Sequence, residues 1–352
     1  MHRFILTISI ICSIFLLSCS TSPELGDLSP GWDAHGLEEV AVHSIHERNG
    51  KLYAGTDSGV FISNDDEYTS WRGPELDLQN VKYASLALDG DQNIIAALRY
   101  RDYDKFGAED NMLFRSRDDG STWRPINTQA ENWTDGFYIF DIVPQTSDSE
   151  VLFGYVGAIY CSKDSGKNWR AVYTEGGFPY FITVSENYPN HIWTGGTLPI
   201  FWPYLSKSDD GGKTWTKLND QVSFKAEATA RAASVSPSDP DVVLVGFTSN
   251  GPAIRKTTTG GQTWKTVLED YHVYALQNGQ MGAGRVYASG KHPSMQLSVV
   301  VSDNYGDDWT TFVNEDGPNE IRVNDMAVAN IDGEEMVFLG TNQGLYSFHL
   351  NK

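Results

Sequence analysis

The chain has 352 residues, 40% of them hydrophobic and 12% aromatic, which is enough for a sizeable core and argues against intrinsic disorder. Its formal net charge is −20, and this acidic balance argues against a nucleic acid partner, which needs a cationic face. Glycine is frequent (33 residues) and long apolar helical stripes are missing, so the composition favours many strands and turns.

The N-terminus predicts a targeting segment. Arg3 precedes the apolar residues FILTISIICSIFLL (4–17), a stretch too short to span a membrane as a mature helix. The residues LLSC (16–19) at the end of this stretch resemble the bacterial lipobox, in which the cysteine is acylated and begins the mature protein. An ordinary secretory signal with an incidental cysteine is the alternative.

We therefore expect a lipoprotein signal peptide over residues 1–18 and a lipidated linker over 19–28. Acyl chains on Cys19 would hold the mature protein stably on a membrane of the bacterial cell envelope. The residue after the cysteine, Ser20, favours the outer membrane in enteric-type bacteria.

Cysteine usage predicts no disulfide and no metal site. Of the three cysteines, Cys12 lies in the signal peptide and Cys19 would be lipidated, which leaves only Cys161 in the mature domain. Cys161 stands in the apolar run IYCS, which is typical of a buried side chain rather than a nucleophile. We expect neither a cofactor nor a metal ion.

One octet recurs along the chain. It reads SRDDGSTW at 116–123 and returns as SKDSGKNW, SDDGGKTW, TTTGGQTW and SDNYGDDW, with the final tryptophans 45 to 49 residues apart. A degenerate copy, SNDDEYTSW, ends at Trp71. A period of this length matches one four-stranded blade of a β-propeller.

Each period contains four short β-rich runs, and the octet falls between the third and the fourth. The last period, which starts at VNDMAVAN (323–330), has only three runs, and we expect residues near 29–35 to supply its fourth strand. The sequence therefore predicts an all-β fold, a single seven-bladed β-propeller over residues 29–352 whose ring is closed by an N-terminal strand. Such closure removes the exposed sheet edge of an open ring.

The octet residues are of types that stabilise turns and cores. Its aspartate accepts backbone N–H bonds within the turn, its glycine supplies a positive φ, and its tryptophan buries a large ring. Thr259 and Asn304 replace the aspartate in two copies, which a shared catalytic role would not tolerate. We therefore predict a structural role for the following residues: Asp118, Trp123, Asp164, Trp169, Asp210, Trp215, Trp264 and Trp309.

These octets resemble the Asp-box, or bacterial neuraminidase, repeat. That repeat occurs in sialidases, xyloglucan-degrading endoglucanases, sortilin-type receptors and propeller-type photosystem II assembly factors. The resemblance covers about residues 29–352 and implies the propeller fold, but these families have very different functions.

Ligands of such propellers usually bind at the mouth of the central channel, on the face opposite the octets. Two long connections are expected at this mouth, at 101–111 and at 198–204 (LPIFWPY), where exposed aromatic rings make platforms for sugars or apolar partner groups. The candidate binding residues are Arg99, Arg101, Tyr103, Phe201, Trp202 and Tyr204. A tolerated insertion at the first connection and a channel plug formed by Phe201 and Trp202 are the alternatives.

Catalytic candidates at the same mouth are Asp270, Tyr271, His272 and Arg231. A sialidase would need an arginine triad, for which Arg99, Arg231 and Arg322 are available, but the N-terminal Phe/Tyr-Arg-Ile-Pro motif is absent. A glycosidase would need two carboxylates, for which the sequence offers Asp141, Asp270 and Asp325 without choosing among them.

Two classes of function follow from these residues. In the first, a lipid-anchored propeller binds a glycan or an envelope protein through its aromatic face, and it meets the membrane only through its anchor. In the second, the same mouth belongs to a glycoside hydrolase or polysaccharide lyase. The missing catalytic motif favours binding, and the sequence leaves catalysis open.

Overall fold

The computed structural model describes residues 31–350, except for 39, 66, 77–80, 89–92, 101–112, 131–140, 146–147, 156–157, 175–176, 199–201, 223–227, 249–250, 283 and 295. Within this part of the chain, strands and turns form nearly all of the structure, and the one helix is the single turn Asn219–Val222. The predicted all-β class is confirmed.

The first half of the chain forms three consecutive antiparallel units after an initial short strand, β1 (Trp32–Ala34). The first unit is β2 (Val42–Arg48), β3 (Lys51–Thr56), β4 (Gly59–Ser63) and β5 (Trp71–Glu75). The second is β6 (Val81–Leu88), β7 (Ile94–Tyr100), β8 (Leu113–Ser116) and β9 (Arg124–Pro125). The third is β10 (Gln129–Ala130), β11 (Asp141–Gln145), β12 (Asp148–Tyr155), β13 (Ile159–Ser162) and β14 (Asn168–Tyr173), with β10 pairing parallel to β14.

The fourth unit is β15 (Phe178–Val184), β16 (Ile192–Thr197), β17 (Pro203–Ser208) and β18 (Thr216–Lys217), followed by the helical turn α1 (Asn219–Val222). An eight-stranded sheet comes next. It contains β19 (Thr229–Val235), β20 (Val243–Thr248), β21 (Pro252–Thr257), β22 (Lys265–Glu269), β23 (His272–Asn278), β24 (Val286–Lys291), β25 (Ser298–Ser302) and β26 (Thr310–Val313). Its two four-stranded halves are joined by a single residue pair, Thr248 with His272.

The last sheet combines the two ends of the described chain. β27 (Val323–Ile331), β28 (Glu334–Thr341) and β29 (Gly344–His349) run antiparallel in order, and β1 pairs with β29 in the register Trp32 to Phe348. The described residues thus form five separate sheets of four or five strands and one sheet of eight.

The sheets stack radially. We call β2, β6, β11, β15, β19, β23 and β27 the first strands of their units, and leave out of this count the short strand β10, which pairs parallel to β14. The first strands lie against each other in this order, and β27 also lies against β2. The apolar core lies between neighbouring sheets: Trp169 of the third unit, for example, packs in one cluster with Ile95 and Ala97 of the second. Burying a side chain of the size of Ile95 contributes about 1.5–3 kcal/mol. The arrangement is that of a β-propeller.

Candidate functional site

The octets occupy the turns between the third and fourth strands of their units. In the turn between β8 and β9, the Asp118 carboxylate accepts the Thr122 N–H at 2.8 Å and the Thr122 hydroxyl at 2.6 Å. Ser116 Oγ accepts the N–H of Gly120 at 2.8 Å, and Gly120 has a φ of 77°. These hydrogen bonds, with the one from the Thr122 side chain foremost, lower the pKa of Asp118.

The same turn recurs in the other copies. Asp164 accepts the N–H of Asn168 and Asp210 that of Thr214, each at 2.8 Å. The replacements keep the bond, since Thr259 Oγ1 and Asn304 Oδ1 each accept the corresponding N–H at 2.9 Å.

The octet tryptophans are half-buried or buried, and three of them donate Nε1–H to the carbonyl oxygen of the octet glycine. The distance is 2.8 Å for Trp169, 3.2 Å for Trp215 and 2.9 Å for Trp264. Trp123 and Trp309 bury the same nitrogen without that bond. The hydrogen bonds of the repeated aspartates and tryptophans therefore lie within their own turns.

The octets also define the two faces of the molecule. The octet turn residues Gly211 and Gly260 donate to Asn190 O and Asp241 O, which lie in turns between first and second strands, at 3.0 Å each. Because the strands alternate in direction, the starts of the first strands and the connections between second and third strands lie on the other face. We call these the octet face and the mouth face.

Several predicted site residues lie outside the described residues: Cys19, Arg101, Tyr103 and Phe201. Arg99 belongs to β7, where its backbone pairs with Tyr83, but its side chain is outside what the structure describes.

Tyr204 corrects the sequence analysis, which placed it in an exposed aromatic platform. It lies in β17 opposite Gly196, only 1% exposed, and it packs in one cluster with Tyr173, Ile182 and Phe153 of the third and fourth units. The reason is register: β17 starts at Pro203, so Tyr204 is already a strand residue whose side chain enters the core.

Tyr271 is a second correction. Its ring is 3% exposed and its hydroxyl is bonded to Ser298 Oγ at 2.7 Å, and burial raises its pKa to about 12. Its neighbours differ, since Asp270 is exposed in a turn with φ 56° and His272 is half-buried at the start of β23. Desolvation and then the charge of Lys291 lower the pKa of His272. Tyr271 therefore faces the core and does not belong to the predicted catalytic grouping.

The structure reveals a feature of the first strands that sequence reasoning missed. Six of them contain a bulge near the start, where one residue is skipped by the pairing with the second strand. A bulge leaves its extra residue unpaired and re-aims the side chain, and bulges are frequent beside functional sites. The skipped residues are His43, Lys82, Tyr180, Arg231, Tyr274 and Asn324.

Three of these bulge residues, on the neighbouring first strands β15, β19 and β23, form one stack. The Arg231 guanidinium carbon lies 3.9 Å from the ring centroid of Tyr180 and 5.7 Å from that of Tyr274. Both distances fall within the range of cation–π attraction, which contributes about 0.5–2 kcal/mol per contact. We call these residues the mouth stack.

Arg231 has an unusual polar environment. Its Nε is buried without a hydrogen-bond partner, and none of the described carboxylates lies within salt-bridge distance of it. In a chain with 46 acidic residues and 26 basic ones, an arginine held by aromatic rings rather than by a carboxylate keeps its charge available.

Exposed aromatic side chains flank the stack. Phe178 is 57% exposed, Trp202 49% and Tyr180 37%. Phe178 pairs with Thr197, which in turn pairs with Pro203 beside Trp202, so the two backbones are two strand spacings, or about 10 Å, apart. We call Phe178, Tyr180 and Trp202 the aromatic rim.

Of the three carboxylate candidates Asp141, Asp270 and Asp325, the structure describes the side chains of Asp270 and Asp325. Asp325 is the more buried of these two. It follows the bulge of β27, and its oxygens accept the N–H groups of Ile45 at 3.0 Å and Met326 at 2.8 Å. Desolvation raises its pKa to about 6 despite these bonds. The carboxylate thus bridges the last and the first inner strands, β27 and β2.

Cys161 is a free, buried thiol in β13, and burial raises its pKa. No group of three or more described His, Cys, Asp or Glu side chains has the geometry of a metal site. Within the part of the chain that the structure covers, no helix is long and apolar enough to cross a membrane.

Comparison with solved structures identifies the class of protein as a β-propeller. The chain is similar to YCF48 bound to D1 peptide, with a TM-score of 0.65, 14% identity and coverage of 92% of this chain and 98% of that one. It is also similar to the GH74 enzyme of Niastella koreensis (TM-score 0.66, 17% identity, 92% of this chain and 54% of that one), about half of whose length it spans.

A third similar structure is a catalytically inactive variant of virginiamycin B lyase from Staphylococcus aureus with quinupristin, at a TM-score of 0.64, 13% identity and coverage of 92% of this chain and 99% of that one. Scans against protein-family models and against curated protein sequences find no match. At these identities the likeness concerns the fold alone.

Proposed function

We propose that the chain is a seven-bladed propeller whose ring is closed by β1. We also propose that it binds a ligand through its mouth face, and that this ligand is a carbohydrate rather than a protein. Counting the eight-stranded sheet as two blades joined by one residue pair supports the number seven. The pairing of β1 with β29 and the contact of β27 with β2 support closure.

The aromatic rim is the observation that carries the binding proposal. Three of the four large apolar side chains that are exposed among the described residues lie on this one face, on or next to paired strands. Rigid exposed rings contribute contact area at low entropic cost, which suits the stacking of sugar rings. The fourth exposed side chain, Met281, lies in the turn between β23 and β24 on the octet face and supplies a control.

The test is a screen of purified protein against a glycan array and extracted envelope polysaccharides. We expect Phe178→Ala and Trp202→Ala each to weaken binding about tenfold or more, because alanine removes the stacking surface, while Met281→Ala leaves it unchanged. Binding that survives both rim substitutions, or that falls equally with Met281→Ala, would refute the proposal.

We also propose that the mature protein is held in the cell envelope by acyl chains on Cys19. The motif LLSC (16–19) supports this placement. Metabolic labelling with a palmitate analogue should mark the wild-type chain and not Cys19→Ser, and the variant should leave the membrane fraction. Equal labelling of both chains would contradict the anchor.

Cleavage of the bound glycan is a second candidate, favoured by one observation. The carboxyl of Asp325 lies beside the bulge near the start of β27, on the mouth face, and desolvation raises its pKa to about 6, close to the value that suits a general acid. Incubation of the wild type and Asp325→Asn with bound oligosaccharides, followed by product chromatography, tests it. Products with both proteins, or with neither, would remove the enzyme hypothesis for this residue.

A further inference from the structure

The mouth stack carries an inference that rests on the proposed function and narrows its ligand. We propose that Arg231 is a recognition group for a carboxylate and that the ligand is an oligosaccharide bearing a uronic acid. The stack and the rim belong to adjacent first strands and connections, so one ligand can meet both.

The geometry of Arg231 supports anion binding. The guanidinium carbon lies 3.9 Å from the ring centroid of Tyr180 and 5.7 Å from that of Tyr274, on the two neighbouring first strands. These contacts restrict the guanidinium and fix the plane of its donor fork before a ligand arrives. None of the described residues forms an ion pair with its terminal nitrogens, so the described part of the chain leaves the fork open to a ligand. A planar fork of N–H donors matches a carboxylate in a bidentate way.

The surrounding charges set a limit on the ligand. The net charge of −20 repels a densely charged polyanion at long range, whereas a single carboxylate beside a fixed arginine is attracted at short range. The exposed rings of Phe178 and Trp202 need neutral sugar faces on which to stack. Together these features favour a largely neutral oligosaccharide with an isolated acidic residue.

A peptide with a free C-terminal carboxylate is the competing ligand class. It would engage the fork equally well, but it would contact Phe178 and Trp202, whose backbones are two strand spacings apart, only where its own sequence places suitable side chains. A sugar chain offers an apolar ring face at every residue. The geometry therefore points to the glycan, and the peptide becomes an arm of the test.

The experiment measures affinity by calorimetry for a panel of uronic-acid-containing oligosaccharides with different backbones. Each is paired with its carboxyl-reduced counterpart, in which the carboxylate has become a primary alcohol. We expect the wild type to bind at least one acidic member about tenfold or more tightly than its reduced form, with the preference weakening as salt rises. Arg231→Gln should abolish the preference and leave the affinity for the reduced form unchanged.

Two further variants keep the test interpretable. Arg322→Gln removes an exposed arginine of the same face that is bonded to Asn324 rather than stacked, and it should keep the preference. Arg231→Lys keeps the charge but loses the planar fork, so the preference should fall between those of the wild type and Arg231→Gln. Thermal unfolding of each variant checks that the fold is retained.

The outcomes separate this inference from the function on which it rests. Binding of acidic and reduced forms with equal affinity, still lost in Trp202→Ala, would overturn the role of Arg231 and leave the binding function standing. Binding to none of the acidic panel would overturn the inference. A peptide whose affinity depends on its free carboxylate and on Arg231, without any glycan preference, would overturn the ligand class.

Discussion

The buried carboxylate of Glu335 should be among the strongest single contributors to the packing of neighbouring sheets. Glu335 lies in β28 with its side chain 1% exposed, and it accepts the N–H groups of Gln280 and Met281, the latter at 2.7 Å. It also accepts the Tyr287 hydroxyl at 2.8 Å and Arg285 Nη1 at 3.3 Å. All of its donors belong to the turn between β23 and β24 or to β24 itself, so one side chain ties two sheets together.

We predict that Glu335→Gln lowers the free energy of unfolding by about 3–5 kcal/mol. The amide keeps the size of the side chain, but its NH₂ group faces donors, and Arg285 loses its buried counter-charge and keeps only the exposed Asp303. With an unfolding entropy of about 2.1 cal/mol/K per residue, this loss lowers the melting temperature by roughly 4–8 °C.

Calorimetry and denaturant titration measure this change, with Glu334→Gln as the matched control. Glu334 is the exposed neighbour of Glu335 in the same strand and should change stability by less than about 0.5 kcal/mol. A Glu335→Gln protein as stable as the control would refute the claim that this carboxylate links the sheets.

Three further predictions follow from buried groups. Burial raises the pKa of Asp325 to about 6, so its contribution to stability is present below the unfolded pKa near 4 and is lost as the pH rises through 6. When the pH falls from 7 to 4, the free energy of unfolding of the wild type should therefore rise by on the order of 1–2 kcal/mol relative to that of Asp325→Asn in urea titrations. Parallel pH profiles of the two proteins would contradict this. Trp169→Ala should lower the free energy of unfolding by about 3–5 kcal/mol because the ring of Trp169 is 1% exposed, whereas Trp202→Ala should lower it by under about 1 kcal/mol. Equal losses in denaturant titrations would argue against the assignment of Trp169 to the core and Trp202 to the rim. In a chain that carries Cys12→Ser and Cys19→Ser, Cys161 should react with a chromogenic thiol reagent only at the rate of unfolding, because the thiol is buried and burial raises its pKa. Rapid labelling of the native protein would show instead that the thiol is accessible.

Much of the architecture was readable because it depends on local and periodic signals. Short β-rich runs predicted the strands, and the three-run period at the end of the chain predicted a strand near 29–35, where β1 pairs with β29. The octet positions followed from their glycines, since Gly120, Gly166 and Gly306 all have the positive φ that a tight turn requires.

The sequence placed Trp202 and Arg231 at the mouth, but the other residues of the mouth could not be predicted in the same way, because strand register selects them. Tyr204 was expected in a loop because two prolines and three aromatic residues stand together in LPIFWPY, but the strand starts two residues earlier than that composition suggests. Tyr180 and Tyr274 were passed over because each stands in an ordinary strand run. Aligning the first strands of all periods, and asking which residue interrupts their alternation, would have been the signal for the bulges.

Binding at the mouth face can be tested by hydrogen–deuterium exchange of the protein with and without a saturating acidic oligosaccharide from the paired panel. We expect protection to appear at the starts of β15, β19 and β23 and at the connection before β17, and the octet turns to exchange as before. Protection confined to the octet face, with the mouth face unchanged, would contradict it.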